Sequence, residues 1–182
     1  MDNTPLNWNR VIRVLDDMRA RGIISKYAVG GAMAGILYDE AISTVDLDIF
    51  FFFTQQKTGL VLSLGEIYDY AKEKGFVFDH EFIHIHGWLV QFVEASLDPL
   101  WREAVDAART FIIDGQGVPV MQPEHLAAMW IQAGRRKDFV KIDAFDEGEV
   151  MDPARLLDVL TRFGMIEKWK SIQVSLSARY QF

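Results

Sequence analysis

The segment that most constrains this chain is Val45 to Phe53, read VDLDIFFFF. Past Asp48 it is β-branched and aromatic at every position, so both faces of a strand there would be apolar. Such a run suits a central strand covered on both sides. Yet two aspartates, Asp46 and Asp48, stand at its entrance. In a strand, residues two apart point to the same face, so the two carboxylates project side by side and Leu47 turns away. Adjacent anions repel, and an unpaired carboxylate in an apolar setting is costly. A positive partner is therefore expected between them. A hard divalent cation suits the position, since Mg²⁺ takes oxygen ligands and is held by one or two carboxylates plus substrate phosphates. Solvated or salt-bridged acids at a strand entry are the plainer alternative.

The neighbouring sequence favours the cation. Gly30-Gly31 lies upstream, between a short apolar segment and a stretch rich in helix formers. Glycines permit close backbone approach, and a helix start offers N–H groups to a phosphate. Together the glycine turn and the carboxylate strand supply both halves of a metal–triphosphate site.

Periodicity predicts a helix from Trp8 to Ala20, a strand at Tyr27 to Gly30, a helix from Ala32 to Tyr38 and the strand Val45 to Phe53. A helix from Leu64 to Lys74 follows, then a hairpin of Phe76 to Ile85 and Trp88 to Val93, turning at His86-Gly87. Pro99 to Arg109 reads as a helix, and Thr110 to Val120 as two short strands around Asp114 to Gly117. From Pro123 the pattern is helical to about Lys170, with a break at Gly148 and a new start at Asp152-Pro153. The order implies an α/β (α+β) core over residues 1–121 and a helical C-terminal extension over 122–182 packed on it.

Here the chain resembles the nucleotidyltransferase superfamily of the DNA polymerase beta type. The carrying residues are Val29-Gly30-Gly31 and, after 14 intervening residues, Asp46-Leu47-Asp48. Ser43-Thr44-Val45 and the spaced set Glu124, Leu126, Ala133, Arg135, Lys137 and Asp138 are similar to the abortive-infection and toxin–antitoxin branch. The resemblance implies a mixed sheet flanked by helices, and transfer of a nucleoside monophosphate from a Mg²⁺- or Mn²⁺-bound NTP to an acceptor hydroxyl. Asp46 and Asp48 would hold the metal; Gly30, Gly31, Thr44, Arg135 and Lys137 would bind the nucleotide. It also implies a third carboxylate on a neighbouring strand, and the position matching it holds Gln91, an amide that cannot act as a base near neutral pH. Glu94 is at an odd offset from Gln91 and faces away, while Asp79 and Glu81 are alternatives. Trp130 stands where relatives carry a lysine. With Gln91 in that place, a nucleotide-binding protein without turnover, or a toxin–antitoxin partner protein, is the alternative reading.

Arg135, Arg136 and Lys137 form the dense basic run of the sequence, read either as a triphosphate clamp or as a solvated helix face, with Asp138 holding Arg135 or Lys137. His84 and His86 would share a strand face, but without further ligands at metal spacing they read as surface residues. Trp101, Trp130, Phe139 and Phe145 read as filling between the helical tail and the sheet.

Bulk properties bound the rest. The net charge of −7 over 182 residues argues against an extended nucleic-acid surface, and leaves a small molecule, a protein hydroxyl or an RNA end as acceptor. No apolar run reaches membrane-spanning length, and the opening residues lack a basic-then-apolar leader pattern. The absence of cysteine fits a cytoplasmic setting.

Overall fold

The structure, a computed structural model, describes residues 8–39, 42, 44, 46–54 and 64–177. Elements follow in the order α1 (Trp8–Ala20), β1 (Ile24–Val29), α2 (Gly31–Ile36), β2 (Asp46–Phe53), α3 (Gly65–Glu73), β3 (Val77–Asp79), β4 (Phe82–Ile85) and β5 (Trp88–Glu94). They continue with α4 (Pro99–Asp106), β6 (Arg109–Ile113), β7 (Gln116–Val120), α5 (Pro123–Ala133), α6 (Arg136–Glu147), α7 (Pro153–Arg162) and α8 (Ile166–Ser177). The strands make one mixed sheet in the order β3-β4-β5-β2-β1-β7-β6.

The oily run takes the place expected of it. β2 is the middle strand, parallel to β5 on one side and antiparallel to β1 on the other. Leu47, Ile49 and Phe51 are fully buried on one face, where Phe51 meets Phe92 edge-on at 6.1 Å. Helix α1 covers that face, with Trp8 against Trp88 at 5.3 Å. The opposite face carries Asp46, Asp48 and Phe50, and Phe50 meets Trp101 of α4 edge-on at 5.7 Å. Burying a large apolar side chain contributes about 1.5–3 kcal/mol, so this double-sided core fixes the register of β2 and with it the direction of both carboxylates.

Several boundaries differ from the sequence reading, each for a local reason. β1 begins at Ile24 instead of Tyr27, because Ile24 and the exposed Lys26 still pair with β2 across an irregularity at Ser25. Gly30 ends the strand and caps α2, which is only six residues long. The expected hairpin is a three-stranded meander: His80, at φ +53°, makes an extra turn that splits Phe76 to Ile85 into β3 and β4. His86 lies in the turn before β5 at φ +48°, so it does not share a strand face with His84. α4 stops at Asp106, and Arg109 opens β6. Val45, assigned to β2 from the sequence, lies outside the described residues, as does Ser43.

The helices from Pro123 pack against this core. Gly35 of α2 sits under the Trp130 ring, where an added Cβ would meet it at 3.2 Å. Glu124, 5% exposed, accepts a hydrogen bond from the Asp152 N–H at 3.0 Å and so ties α5 to the start of α7. No helix among the described residues is long and apolar enough to cross a membrane.

Candidate active site

Asp46 and Asp48 sit at the N-terminal end of β2, both partly buried, on the face away from Leu47. The backbone here is pinned twice. The Thr44 hydroxyl accepts the Asp46 N–H at 3.2 Å, and the Asp48 carbonyl accepts the Gly30 N–H at 2.9 Å. That second bond brings the glycine turn directly against the carboxylate strand. Gly31 has φ +59°, and a Cβ there would overlap Asp48 Oδ2, so no other residue fits against this side chain. Gly30 has a different reason for lacking a side chain: a Cβ would lie 2.6 Å from the Phe50 ring. With α2 so short, the turn contributes close backbone approach more than a helix dipole.

Strand β5 supplies the third position. In the parallel register Asp48 pairs with Gln91, and Asp46 with Leu89. Register partners share a face, so the Gln91 amide stands beside the Asp48 carboxylate, about 4.8 Å away at the backbone. None of the acidic alternatives reaches this point. Glu94 is buried on the other face and caps the following turn, accepting the Ser96 N–H at 3.0 Å. Asp79 lies on β3, three strand spacings from β2, or about 14 Å. Glu81 is exposed in the turn beyond it.

A cleft of about 530 Å³ opens over this face, walled by Gly31, Asp48, Gln91, Trp101, Trp130 and Arg135. Its far side holds Asp98, which caps α4 by accepting the Leu100 N–H at 2.7 Å and takes the Gln132 amide at 2.7 Å on its other oxygen. Trp101 and Trp130, expected as filling, are walls of this cleft as well as packing residues.

The cations stand at one rim. Gly134, at φ +67°, ends α5, and Arg135 leads into α6. Arg135 Nε donates to Asp138 Oδ2 at 2.6 Å, and Lys141 Nζ donates to Asp138 Oδ1 at 2.7 Å while lying 5.0 Å from the Trp130 ring centre. Asp138 is fully buried. Its partners are thus Arg135 and Lys141; Lys137, the other partner considered from the sequence, is exposed on α6 and absent from the cleft wall. Burial pushes the Asp138 carboxyl up, but the bonds from Arg135 and Lys141 outweigh it and hold it below the usual range. Asp48 behaves oppositely. Burial raises its carboxyl above the usual range, the Asp46 charge adds to this, and Lys141, Arg135 and Lys137 offset only part. Among the described residues neither Asp46 nor Asp48 has a side-chain hydrogen bond or ion pair with a cation.

Lys141 was legible only as a residue three after Asp138 on one helix face, and its effect on Asp48 has no sequence signal. Nor does any local pattern join Asp98 to Gln132 across 34 residues.

No protein-family model matches the chain, and no curated protein matches it. Among solved structures it is similar to an antigenic nucleotidyltransferase-like protein from Paracoccidioides brasiliensis, with a TM-score of 0.57 and 16% identity over 97% of this chain and 91% of that one. It also matches the antibiotic-resistance factor ANT(2'')-Ia in a solution structure, at TM-score 0.44 and 16% identity, over 94% of this chain and 91% of that one. The same factor in complex with adenylyl-2''-tobramycin gives 0.43 and 17%, over 93% and 96%. The first likeness shows the fold: this chain is built as a nucleotidyltransferase-like mixed α/β sheet, as its glycine turn and aspartate pair led one to expect.

Proposed function

We propose that the protein binds a nucleoside triphosphate with Mg²⁺ or Mn²⁺ in the cleft beside Asp46 and Asp48, and transfers the nucleoside monophosphate to an acceptor hydroxyl, with pyrophosphate as the leaving group. The observation that carries this is the meeting of two same-face carboxylates, unpaired among the described residues, with a glycine that has no room for a side chain. The donor set fits a hard divalent ion: two carboxylate oxygens from adjacent same-face positions, one amide oxygen on the neighbouring strand, and space for phosphates and water. Such an ion, when bound, would neutralise charge on the phosphates and polarise the phosphorus under attack.

The chain's own residues then have separate tasks. Asp46 and Asp48 hold the cation at the end of a strand locked by its core. Gly31 lets phosphate oxygens come close to the backbone. Arg135 is half-free, with 58% of its side chain exposed beside the cleft, and suits a phosphate oxygen; Lys137 contributes field alone. Gln91 orients the attacking hydroxyl by hydrogen bonding but takes no proton, so the proton leaves to solvent or substrate.

The last point favours a second reading, nucleotide binding with very slow turnover or none. Radiolabel transfer separates the two. The purified chain is incubated with each of four α-labelled NTPs, Mg²⁺ or Mn²⁺ and a panel of hydroxyl acceptors, beside Asp46→Asn. Metal-dependent label on an acceptor, lost in the variant, supports transfer. Metal-dependent nucleotide binding with no labelled product supports the second reading, and neither result would end both.

A further inference from the structure

The positions around the aspartate pair follow from the sheet register. On the β5 side Asp46 faces Leu89 and Asp48 faces Gln91. One strand further out, β4 sets His84 beside Leu89 and Phe82 beside Gln91, about 9.6 Å from β2. On the β1 side the neighbour is the glycine turn, with the Gly30 N–H on the Asp48 carbonyl and Gly31 pressed against Oδ2. Within the adjoining strands and the turn, the Gln91 side chain therefore offers the one oxygen beside the pair, and that oxygen is neutral. The Gln91 amide lines the cleft and makes no side-chain hydrogen bond among the described residues.

The other carboxylates nearby are committed elsewhere. Asp98, across the cleft, accepts the Leu100 N–H and the Gln132 amide, each at 2.7 Å. Asp138 is clasped by Arg135 and Lys141, and Glu94 caps the turn on the opposite face. Among the described residues no set of three or more His, Asp and Glu side chains is grouped so as to hold a metal ion. The anionic ligands open to a cation are thus Asp46 and Asp48, two negative charges, which one divalent ion cancels. Sites with two ions hold them about 4 Å apart. There two dications repel about four times as strongly as two unit charges, so further anions must offset them. The cleft wall offers Arg135 instead, a cation that adds to the repulsion.

We infer that the site takes a single divalent ion per nucleotide, and that Gln91 sets this number. The inference rests on the nucleotide reading above and specifies its ion count. The Gln91 oxygen can complete the shell of the one ion held by Asp46 and Asp48, and its NH₂ group can face the acceptor hydroxyl. A neutral amide does not compensate a second dication. A glutamate at the same position would, because it adds the missing negative charge directly in register with Asp48.

The test counts ions without relying on turnover. The full chain is dialysed to equilibrium against Mn²⁺ and α,β-methylene ATP, which cannot give up its nucleoside monophosphate, and the metal and nucleotide retained with the protein are measured. Electron paramagnetic resonance of the same samples detects pairs of Mn²⁺ ions by their exchange coupling. The expected ratio is about one Mn²⁺ per nucleotide in wild type and Gln91→Ala, and about two in Gln91→Glu, with coupling in Gln91→Glu alone. Two ions per nucleotide in wild type, or a coupled spectrum there, overturns the inference while nucleotide binding stands. A ratio of one in a Gln91→Glu protein that keeps its circular dichroism shows that residue 91 does not set the count, and overturns it too. Should that variant fail to fold, the wild-type ratio and spectrum decide alone. Nucleotide retained without metal, or not retained at all, overturns the nucleotide reading and this inference with it.

Discussion

Asp48 and Asp138 are both shielded carboxylates near the same cleft, and they are treated in opposite ways. Asp138, at the start of α6, is fully buried and answered by two cations, Arg135 and Lys141. Asp48, at the start of β2, is pushed up by burial and by its neighbour Asp46, and those same cations reach it only at a distance. The contrast separates a carboxylate answered by two cations from one that, among the described residues, has no cationic partner. A protein that needed only stability would place an asparagine or a serine at position 48.

The largest effect expected from this comparison comes from the answered carboxylate. Asp138→Ala leaves Lys141 without its partner in a poorly solvated place and should cost about 3 kcal/mol in urea unfolding. The pH dependence has a definite sign. Because the folded-state value of Asp138 lies below its unfolded value, its contribution is present above the unfolded value and lost as pH falls through the folded one. In Asp138→Ala this acid-side loss should be missing from the stability profile. An unchanged midpoint would mean that Asp138 is not the clasp described here.

Next is Gln91→Glu, which places a carboxylate beside Asp48 in register. If transfer is limited by the missing base, turnover should rise about a hundredfold, measured as label transfer per unit time. Stability of the metal-free protein should drop, because a third anion joins a pair already repelling. A drop in stability with no gain in turnover would assign Gln91 to binding alone.

Gly31→Ala should cost about 2 kcal/mol, since the residue must keep φ +59° and its Cβ meets Asp48. Thermal unfolding measures this, and nucleotide binding should fall with it. Gly22→Ala is the comparison: its φ is +71° but nothing lies within 4 Å of an added Cβ, so its cost should be smaller, backbone strain alone.

Smallest is Asp48→Asn in metal-free protein, expected to gain on the order of 1 kcal/mol by removing an unpaired, shielded charge. The sign follows from its raised carboxyl. The folded state favours the protonated form, so stability from this group is present at low pH and lost as pH rises through the raised value. The variant should not show that loss. Excess Mg²⁺ should raise the midpoint of the wild type and leave the variant unmoved.

How much of this was legible in the sequence divides along the same line. β2 and its face assignment follow from period-two alternation at Asp46, Leu47 and Asp48, backed by a run too apolar to be anything but interior. Gln91 as the neighbour of Asp48 rests on strand register, which the sequence indicated only by its resemblance to a family and the structure gives directly. The meander at His80 was hidden because a non-glycine residue at positive φ leaves no compositional mark. The Asp98–Gln132 contact at the cleft was hidden too, since its two residues meet only when α4 and α5 pack. Charge runs such as Arg135 to Lys137 are conspicuous in a sequence, while charges assembled by folding are not.

The central claim is that the Asp46–Asp48 pair holds a divalent cation together with a nucleotide. Calorimetric titration of ATP and GTP, with Mg²⁺ and with EDTA, into wild type and Asp48→Asn tests it most directly. Binding that needs both the metal and Asp48 is the predicted result. Nucleotide that binds as tightly in EDTA, or as tightly to Asp48→Asn, would contradict it.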